Sequence, residues 1–170
     1  MNPPADDCTL WRATPEHLRY VYETERLPGY ESLTARWSLE AHLLASARPD
    51  TRYLIGGTQS GHPMGFVILQ PLADAHEGTK IKRIVVSQPG QGFGQRLLAA
   101  TYRWVFGNTT SHRIWLDVFA HNARAIAAYR ASGMTVDGVL RASYEMEEGR
   151  YVDRWVMALL RDEWVGRTSE

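Results

Sequence analysis

The sequence predicts an α/β fold, a single domain built around one sheet. Three observations carry this. Segments with strand-like spacing alternate with segments of helical spacing along the chain. At residues 84–98 an apolar strand runs into a glycine-rich turn that opens a helix. The 170 residues hold no internal repeat and no Pro-, Gly- or Ser-rich linker, and domains commonly run to roughly 100–200 residues.

Residues 9–13 read as the first strand, after a start at residues 1–8 expected to be disordered. Thr14-Pro15-Glu16 reads as a helix opening: a capping hydroxyl, a proline at the first helical position and an acid near the positive helix end. That helix is expected to end before Pro28-Gly29, and a second to cover 35–47, stopped by Pro49. Runs at 51–58 and 63–70 flank Ser60-Gly61-His62 as a hairpin. Residues 80–86 alternate and then turn fully apolar, as a central strand does. From Gly92 the period changes, with Leu97, Leu98, Thr101 and Val105 on one helix face and Gly107-Asn108 as the stop. Residues 113–119 form the next strand. Asn122 can cap an alanine-rich helix that runs to Ser132 and closes at Gly133. Strands at 134–140 and 151–160 around Glu147-Glu148-Gly149 complete the order β-α-α-β-β-β-α-β-α-β-β.

Composition removes several function classes. Lys plus Arg and Asp plus Glu number 19 each, so the chain lacks the surplus cations of a general nucleic-acid binder. No apolar run approaches the ~20 residues that span a bilayer. The start lacks the basic and apolar regions of a secretory signal. Cys8, the one cysteine, is expected on a frayed end, and a chain without a disulfide framework suits the reducing cytosol. Asn108-Thr-Thr110 matches a glycosylation acceptor by chance. The six histidines show no His-Glu-x-x-His spacing and no cysteine partner, so no metal site is expected. There is no Gly-x-Ser-x-Gly elbow for a serine hydrolase.

The glycine turn is the most informative stretch. Gly90, Gly92 and Gly94 let a ligand approach the backbone and leave N–H groups pointing one way, at the positive end of the following helix. That combination makes a phosphate or pyrophosphate site, although a tightly packed structural turn has the same glycines. A dinucleotide fold fits poorly, even with Asp117 at a ribose-like distance. Ser87 to Pro89 separate strand from turn, and Gln95 stands where the third glycine should be.

The turn, followed by His112-Arg-Ile-Trp-Leu-Asp-Val-Phe-Ala-His-Asn-Ala-Arg-Ala-Ile-Ala-Ala-Tyr-Arg-Ala-Ser-Gly-Met134, resembles the GCN5-related N-acetyltransferases, the GNAT family. The likeness is specific over 80–140 and looser over the flanking strands. Within the family it looks most like the group that acetylates ribosomal-protein N-termini and related small amines. It implies a mixed, mostly antiparallel central sheet with helices on both faces, an acetyltransferase domain over 9–165, and acetyl-CoA as co-substrate. A homodimer is in keeping with it. Carried over, Ile84, Val85 and Val86 lie on the strand that pairs with the pantetheine arm. Gln91, Gly92, Phe93, Gly94 and Gln95 supply amides to the pyrophosphate. Asn122 touches the cofactor arm, and Tyr129 is the catalytic residue beside its sulfur. Two departures stand out: Pro89, which has no N–H, replaces the family's usual Gln or Arg, and Met134 replaces the usual Phe.

Acetyl transfer needs a neutral amine, a polarised thioester and a proton for the leaving sulfur. Asn122 and Tyr129 are seven positions apart, two helical turns or roughly 10.5 Å on one face. A Tyr hydroxyl with pKa near ~10 can protonate a departing thiolate. The strand at 80–86 holds no acid, Glu77 reads as a solvated loop residue, and Asp117 reads as structural. No general base is nominated. That absence favours an α-amine of a peptide or protein as acceptor. The alternatives are a free small amine, such as a polyamine or an antibiotic, and a non-catalytic acyl-CoA-binding module. The segment 23–37, with Glu23, Glu25 and Glu31, is expected to shape the acceptor pocket and hints at a cationic acceptor.

Overall fold

The computed structural model describes residues 8–168. In chain order they form β1 (Thr9–Arg12), α1 (His17–Thr24), α2 (Leu39–Ser46), β2 (Arg52–Gly57), β3 (Pro63–Leu69) and β4 (Thr79–Val86). Then follow α3 (Phe93–Asn108), β5 (Arg113–Phe119), α4 (Ala123–Ala131), β6 (Thr135–Glu147), β7 (Arg150–Leu160) and α5 (Arg161–Thr168). The seven strands make one sheet in the order β1-β2-β3-β4-β5-β7-β6. Every neighbouring pair is antiparallel except β4 and β5.

Strand alternation sorts the side chains into two cores. Tyr53 and Ile55 of β2, Phe66 and Ile68 of β3 and Val85 of β4 pack with Leu18 and Val21 of α1 and Ala45 of α2. The intervening Leu54, Val67 and Leu69 face the other way, onto Phe93, Leu97, Tyr102 and Val105 of α3 and Ile126 of α4. The sheet is therefore covered by α1 and α2 on one face and by α3 and α4 on the other.

One irregularity positions the site. On β3 and β4, Ile68 pairs with Arg83 but Leu69 pairs with Ile81, so Lys82 is an extra residue bulged out of the ladder. Such a bulge bends a strand and increases its twist. β4 meets β5 only at Thr79↔Ile114 and Lys80↔Trp115, and beyond the bulge the two strands part.

Several elements differ from the sequence reading. α1 begins at His17 because Thr14 is spent on a turn: its carbonyl accepts the His17 N–H at 3.0 Å and its hydroxyl meets His17 Nδ1 at 2.8 Å. α1 stops at Thr24, short of Pro28. α2 starts at Leu39, where the Ser38 hydroxyl accepts the Ala41 N–H at 3.1 Å. β6 extends to Glu147 through three register shifts, which erase its alternation in the sequence. α5 was not anticipated; its sequence is polar, and it is anchored by Trp164, edge-on to Tyr102 with centroids 5.8 Å apart, and by Arg161, which donates to the Phe106, Thr109 and Ser111 carbonyls. Cys8 is not frayed but buried against the α3 core, and burial pushes its thiol up to about 11. Residues 1–7 lie outside the described residues. No helix among the described residues is long and apolar enough to cross a membrane.

Candidate active site

The parted strands open a cavity of about 550 Å³, within the usual ligand-site range. Its long walls are β4 from Ile81 to Val86 and β5 from Leu116 to Phe119, and the glycine turn and α4 close one end. The backbone explains what this wall offers. The Ser87 N–H bonds Met64 O of β3 at 2.8 Å, so by alternation Val86 and Ile84 turn their amides and carbonyls to the β5 side, where no strand meets them. The Val86 carbonyl accepts the Tyr30 hydroxyl at 2.9 Å.

At the end of β4 the chain takes two left-handed steps, Gly90 (φ 85°) and Gly92 (φ 75°), and Gly92 is the N-cap of α3 without a side-chain partner. The first N–H groups of this 16-residue helix are left for a ligand. A β-carbon built on Gly90 or Gly92 would meet no atom within 4 Å, and one on Gly94 only Val86 Cγ1 at 3.9 Å. The turn borders open space, so its glycines are not there for tight packing.

α4 supplies the opposite wall. Asn122 caps it, its Oδ1 accepting the Ala125 N–H at 3.2 Å. One turn into α3, Gln95 Nε2 donates to the Ala128 carbonyl at 2.8 Å and ties the two helices. Tyr129 faces the cavity, and burial, with Tyr102, Tyr30 and Asp117 nearby, holds its phenol above the ordinary value. It is a protonated donor at neutral pH.

Among the residues singled out from sequence, the cavity wall gathers Ile84, Val86, Gly92, Gly94, Gln95, Asn122 and Tyr129. Val85, Gln91 and Phe93 are not on it: Val85 lies in the α1/α2 core and Phe93 in the α3 core, so Phe93 offers only backbone. Asp117 does line the cavity, bound by Lys80 Nζ at 2.6 Å and Arg154 at 3.2 Å. Both of these partners occupy its Oδ2, so Asp117 is engaged in ion pairs within the wall.

The segment expected to shape the acceptor pocket does line the cavity, through its second half, and roofs the other side. Residues 30–37 lie over the cavity, pinned by Tyr30 to Val86 and by His121 Nε2 donating to the Ser32 carbonyl at 2.9 Å. Beneath them Glu25, fully buried, accepts from Arg83 at 2.6 Å, Arg26 at 2.8 Å, the Trp37 N–H at 3.0 Å and His42 at 3.3 Å. Desolvation opposes its charge, but His42, Arg83 and Trp37 outweigh that and lower its pKa. Glu25 is therefore a strut and is not open to an acceptor. Glu23 pairs with Arg19 at the surface, and Glu31 accepts the Gly29 N–H. The acidic hint of this segment dissolves. Among the described residues no group of three His, Cys, Asp or Glu side chains is placed to hold a metal.

With this geometry in place, comparison decides the family. Residues 13–134 match the profile of the Acetyltransferase (GNAT) family. The chain belongs to it. It is an acetyl-CoA-dependent acetyltransferase of that fold. Among similar solved structures is a chimera of the Vibrio cholerae spermidine N-acetyltransferase and hSSAT, with TM-score 0.84, 21% identity, and coverage of 95% of this chain and 100% of that one. The Vibrio cholerae spermidine N-acetyltransferase in complex with CoA and spermine has TM-score 0.82 and 20% identity, over 94% of this chain and 98% of that one. A dodecameric form of the same Vibrio cholerae enzyme has TM-score 0.78 and 19% identity, over 95% and 98%.

Proposed function

We propose that this chain transfers the acetyl group of acetyl-CoA directly to the primary amine of a small free molecule. The observation that carries this is the parting of β4 from β5 beyond Lys82, which runs from an amide-lined anion site to the roofed cavity. In this reading the pyrophosphate takes the free N–H groups from Gly92 to Gln95. The pantetheine arm fills the place of a missing strand beside Ile84 and Val86. Asn122 and Tyr129 flank its far end, and the amine arrives from the side roofed by residues 30–37. The amine nitrogen attacks the thioester carbon, the C–S bond breaks, the Tyr129 hydroxyl gives its proton to the thiolate, and the nitrogen's surplus proton passes through solvent to restore the Tyr129 hydroxyl. The structural neighbours named for spermidine acetylation support a small amine over a protein terminus, and so does a roof pinned at Tyr30 and Ser32.

A peptide α-amine remains the second reading because no free carboxylate serves as base: Asp117 and Glu25 are both bound by cations. At pH 7 an alkylammonium with pKa near ~10.4 costs about 4–5 kcal/mol to deprotonate, an α-amine near ~7.7–8 only about 1–1.4 kcal/mol. The test is acetyl-CoA-dependent thiol release with spermidine, a small monoamine, a free amino acid and a short unblocked peptide. Small amines are expected to turn over faster than the peptide. Peptide turnover above all of them reverses the assignment, and no thiol release with any amine leaves only a cofactor-binding module.

A further inference from the structure

The charges on the acceptor side of the cavity are unbalanced. Arg83, Asp117, Phe119, Tyr144 and Arg154 line this part of the wall, with Lys82 on the bulge between them. Among the described residues Asp117 is the one carboxylate on the cavity wall, and it already meets Lys80 and Arg154. Glu25 lies behind the wall and is shared between Arg83 and Arg26. Two carboxylates thus serve four cations, and Lys82 adds a fifth with no salt bridge among the described residues. The paired cations are also fixed by other contacts: Arg154 donates to Ser143 Oγ and the Ser143 carbonyl, and Arg83 lies over the Trp37 ring at 4.7 Å.

The surplus does not belong to the cofactor phosphates. Lys82 lies four residue steps before Val86, about 13 Å at ~3.3 Å per residue, and the glycine turn lies beyond Val86. Desolvation, followed by Lys80, lowers the Lys82 pKa, while Asp117 raises it and Arg83 and Arg154 lower it further. An ammonium so placed gains from a facing anion and loses from a second cation. Around it, Phe119 and Tyr144 meet edge to face with centroids 4.9 Å apart, and Trp37 supplies a further apolar surface.

We propose that the acceptor amine carries an anionic group, a carboxylate or a phosphate, which Lys82 recognises with Arg154 and Arg83 behind it. This rests on the transferase reading above. It sets this chain apart from enzymes whose acceptors are polycations, since a polyamine would place a second ammonium beside Lys82, Arg83 and Arg154 of the cavity wall. Lys82 becomes the residue that chooses the acceptor, and its place on the bulge sets it where β4 leaves β5.

The experiment compares matched amines at saturating acetyl-CoA by thiol release: phenylalanine against phenylalaninamide, phosphoethanolamine against ethanolamine, and spermidine. Amidation leaves more of the amine unprotonated, so a preference for the acid is not a nucleophile effect. A charge-assisted contact predicts roughly tenfold to a hundredfold higher kcat/KM for the anionic member of one pair. The pair that shows it separates carboxylate from phosphate. Lys82→Gln should abolish the preference mainly through KM, with the unfolding midpoint and acetyl-CoA affinity unchanged, and Lys82→Glu should raise spermidine turnover. Equal rates within both pairs, or spermidine preferred by the wild type, overturns the proposal and leaves the transferase reading intact. Thiol release with none of the amines, in protein that still binds acetyl-CoA, overturns the transferase reading and the proposal with it.

Discussion

On the α3/α4 side of the cleft, the groups that matter come from one continuous stretch, β4 through α4, and many are backbone N–H groups. On the α1/α2 side, Trp37, Arg83, Asp117, Tyr144 and Arg154 converge from separate elements and act through side chains. The first side needs glycines at Gly90 and Gly92 and a helix start, requirements that restrict the sequence locally. The second needs only that charges balance within a folded assembly. A strut such as Glu25 is chemically the same residue as a solvated glutamate until Arg83, from 58 positions away, is seen beside it. The two sides should therefore fail separately when perturbed.

Tyr129→Phe should give the largest effect. It keeps the ring on α4 and removes the proton donor, and general acids contribute on the order of 10²–10⁴-fold. Turnover should fall by that order while acetyl-CoA affinity and acceptor KM stay near the wild type. Wild-type turnover would show that solvent protonates the thiolate, and a lost affinity would place Tyr129 among the cofactor contacts instead.

Glu25→Gln attacks the other side. It leaves Arg83 and Arg26 facing a neutral group in a buried place, and breaking such a pair costs about 3–5 kcal/mol. Urea unfolding should show that loss, and acceptor KM should rise because the single amide oxygen cannot accept from Arg83, Arg26, His42 and the Trp37 N–H together. The sign with pH follows from the lowered Glu25 pKa. The charged strut adds stability that is present above the unfolded carboxyl value near ~4.3 and is lost as pH falls through the lower folded value. The gap between wild type and variant should be widest near neutrality and close in acid. A gap that persists below the folded value would assign the effect to packing.

The sequence made the strand–turn–helix framework of the cofactor side legible because a strand, left-handed glycines and a helix cap leave residue-type signatures in order, although Val85, Gln91 and Phe93 lie off the cavity wall. Asn122 caps α4 as its position foretold. Ser38 carries the same signature, yet the sequence reading starts the helix at Ala35, four residues before Leu39. The bulge at Lys82 was invisible, since an extra residue in a ladder shows only against its partner strand. The segment 23–37 was expected at the acceptor pocket, but its glutamates do not offer charge to an acceptor, because pairing, not composition, sets what they do. α5 escaped because what holds it is distant in sequence: Trp164 on Tyr102 and Phe106, and Arg161 on the Phe106, Thr109 and Ser111 carbonyls.

Gly94→Val sharpens the cofactor side. Gly92 is the poorer choice, because at φ 75° any side chain strains the backbone and confuses fold with binding. Gly94 has helical geometry, and its added β-carbon meets only Val86 Cγ1 at 3.9 Å. Acetyl-CoA affinity should drop roughly 100-fold, about 2.8 kcal/mol, by calorimetric titration. The unfolding midpoint should stay within a few degrees. Unchanged affinity would remove the turn from the cofactor site.

The smallest effect belongs to Ser38, and it tests whether the roof depends on its hinge. The Ser38 hydroxyl accepts the Ala41 N–H at the start of α2, directly after Trp37, whose N–H and carbonyl are held by Glu25 and Arg26. Removing an N-cap acceptor costs about 1 kcal/mol for alanine but only a few tenths for glycine, which exposes the helix end to water. Ser38→Ala should therefore lower the unfolding midpoint by about 2–4 °C and Ser38→Gly by much less. Acceptor KM should follow the same order, since an uncapped α2 loosens the anchor of Trp37. Acetyl-CoA affinity should not move in either variant, because nothing in the glycine turn or α4 touches Ser38. If alanine and glycine behave alike, Ser38 matters through something other than its cap. If acetyl-CoA affinity falls with acceptor affinity, the two sides of the cleft are coupled through the roof, and Tyr30, which reaches from it to the Val86 carbonyl, is the residue that joins them.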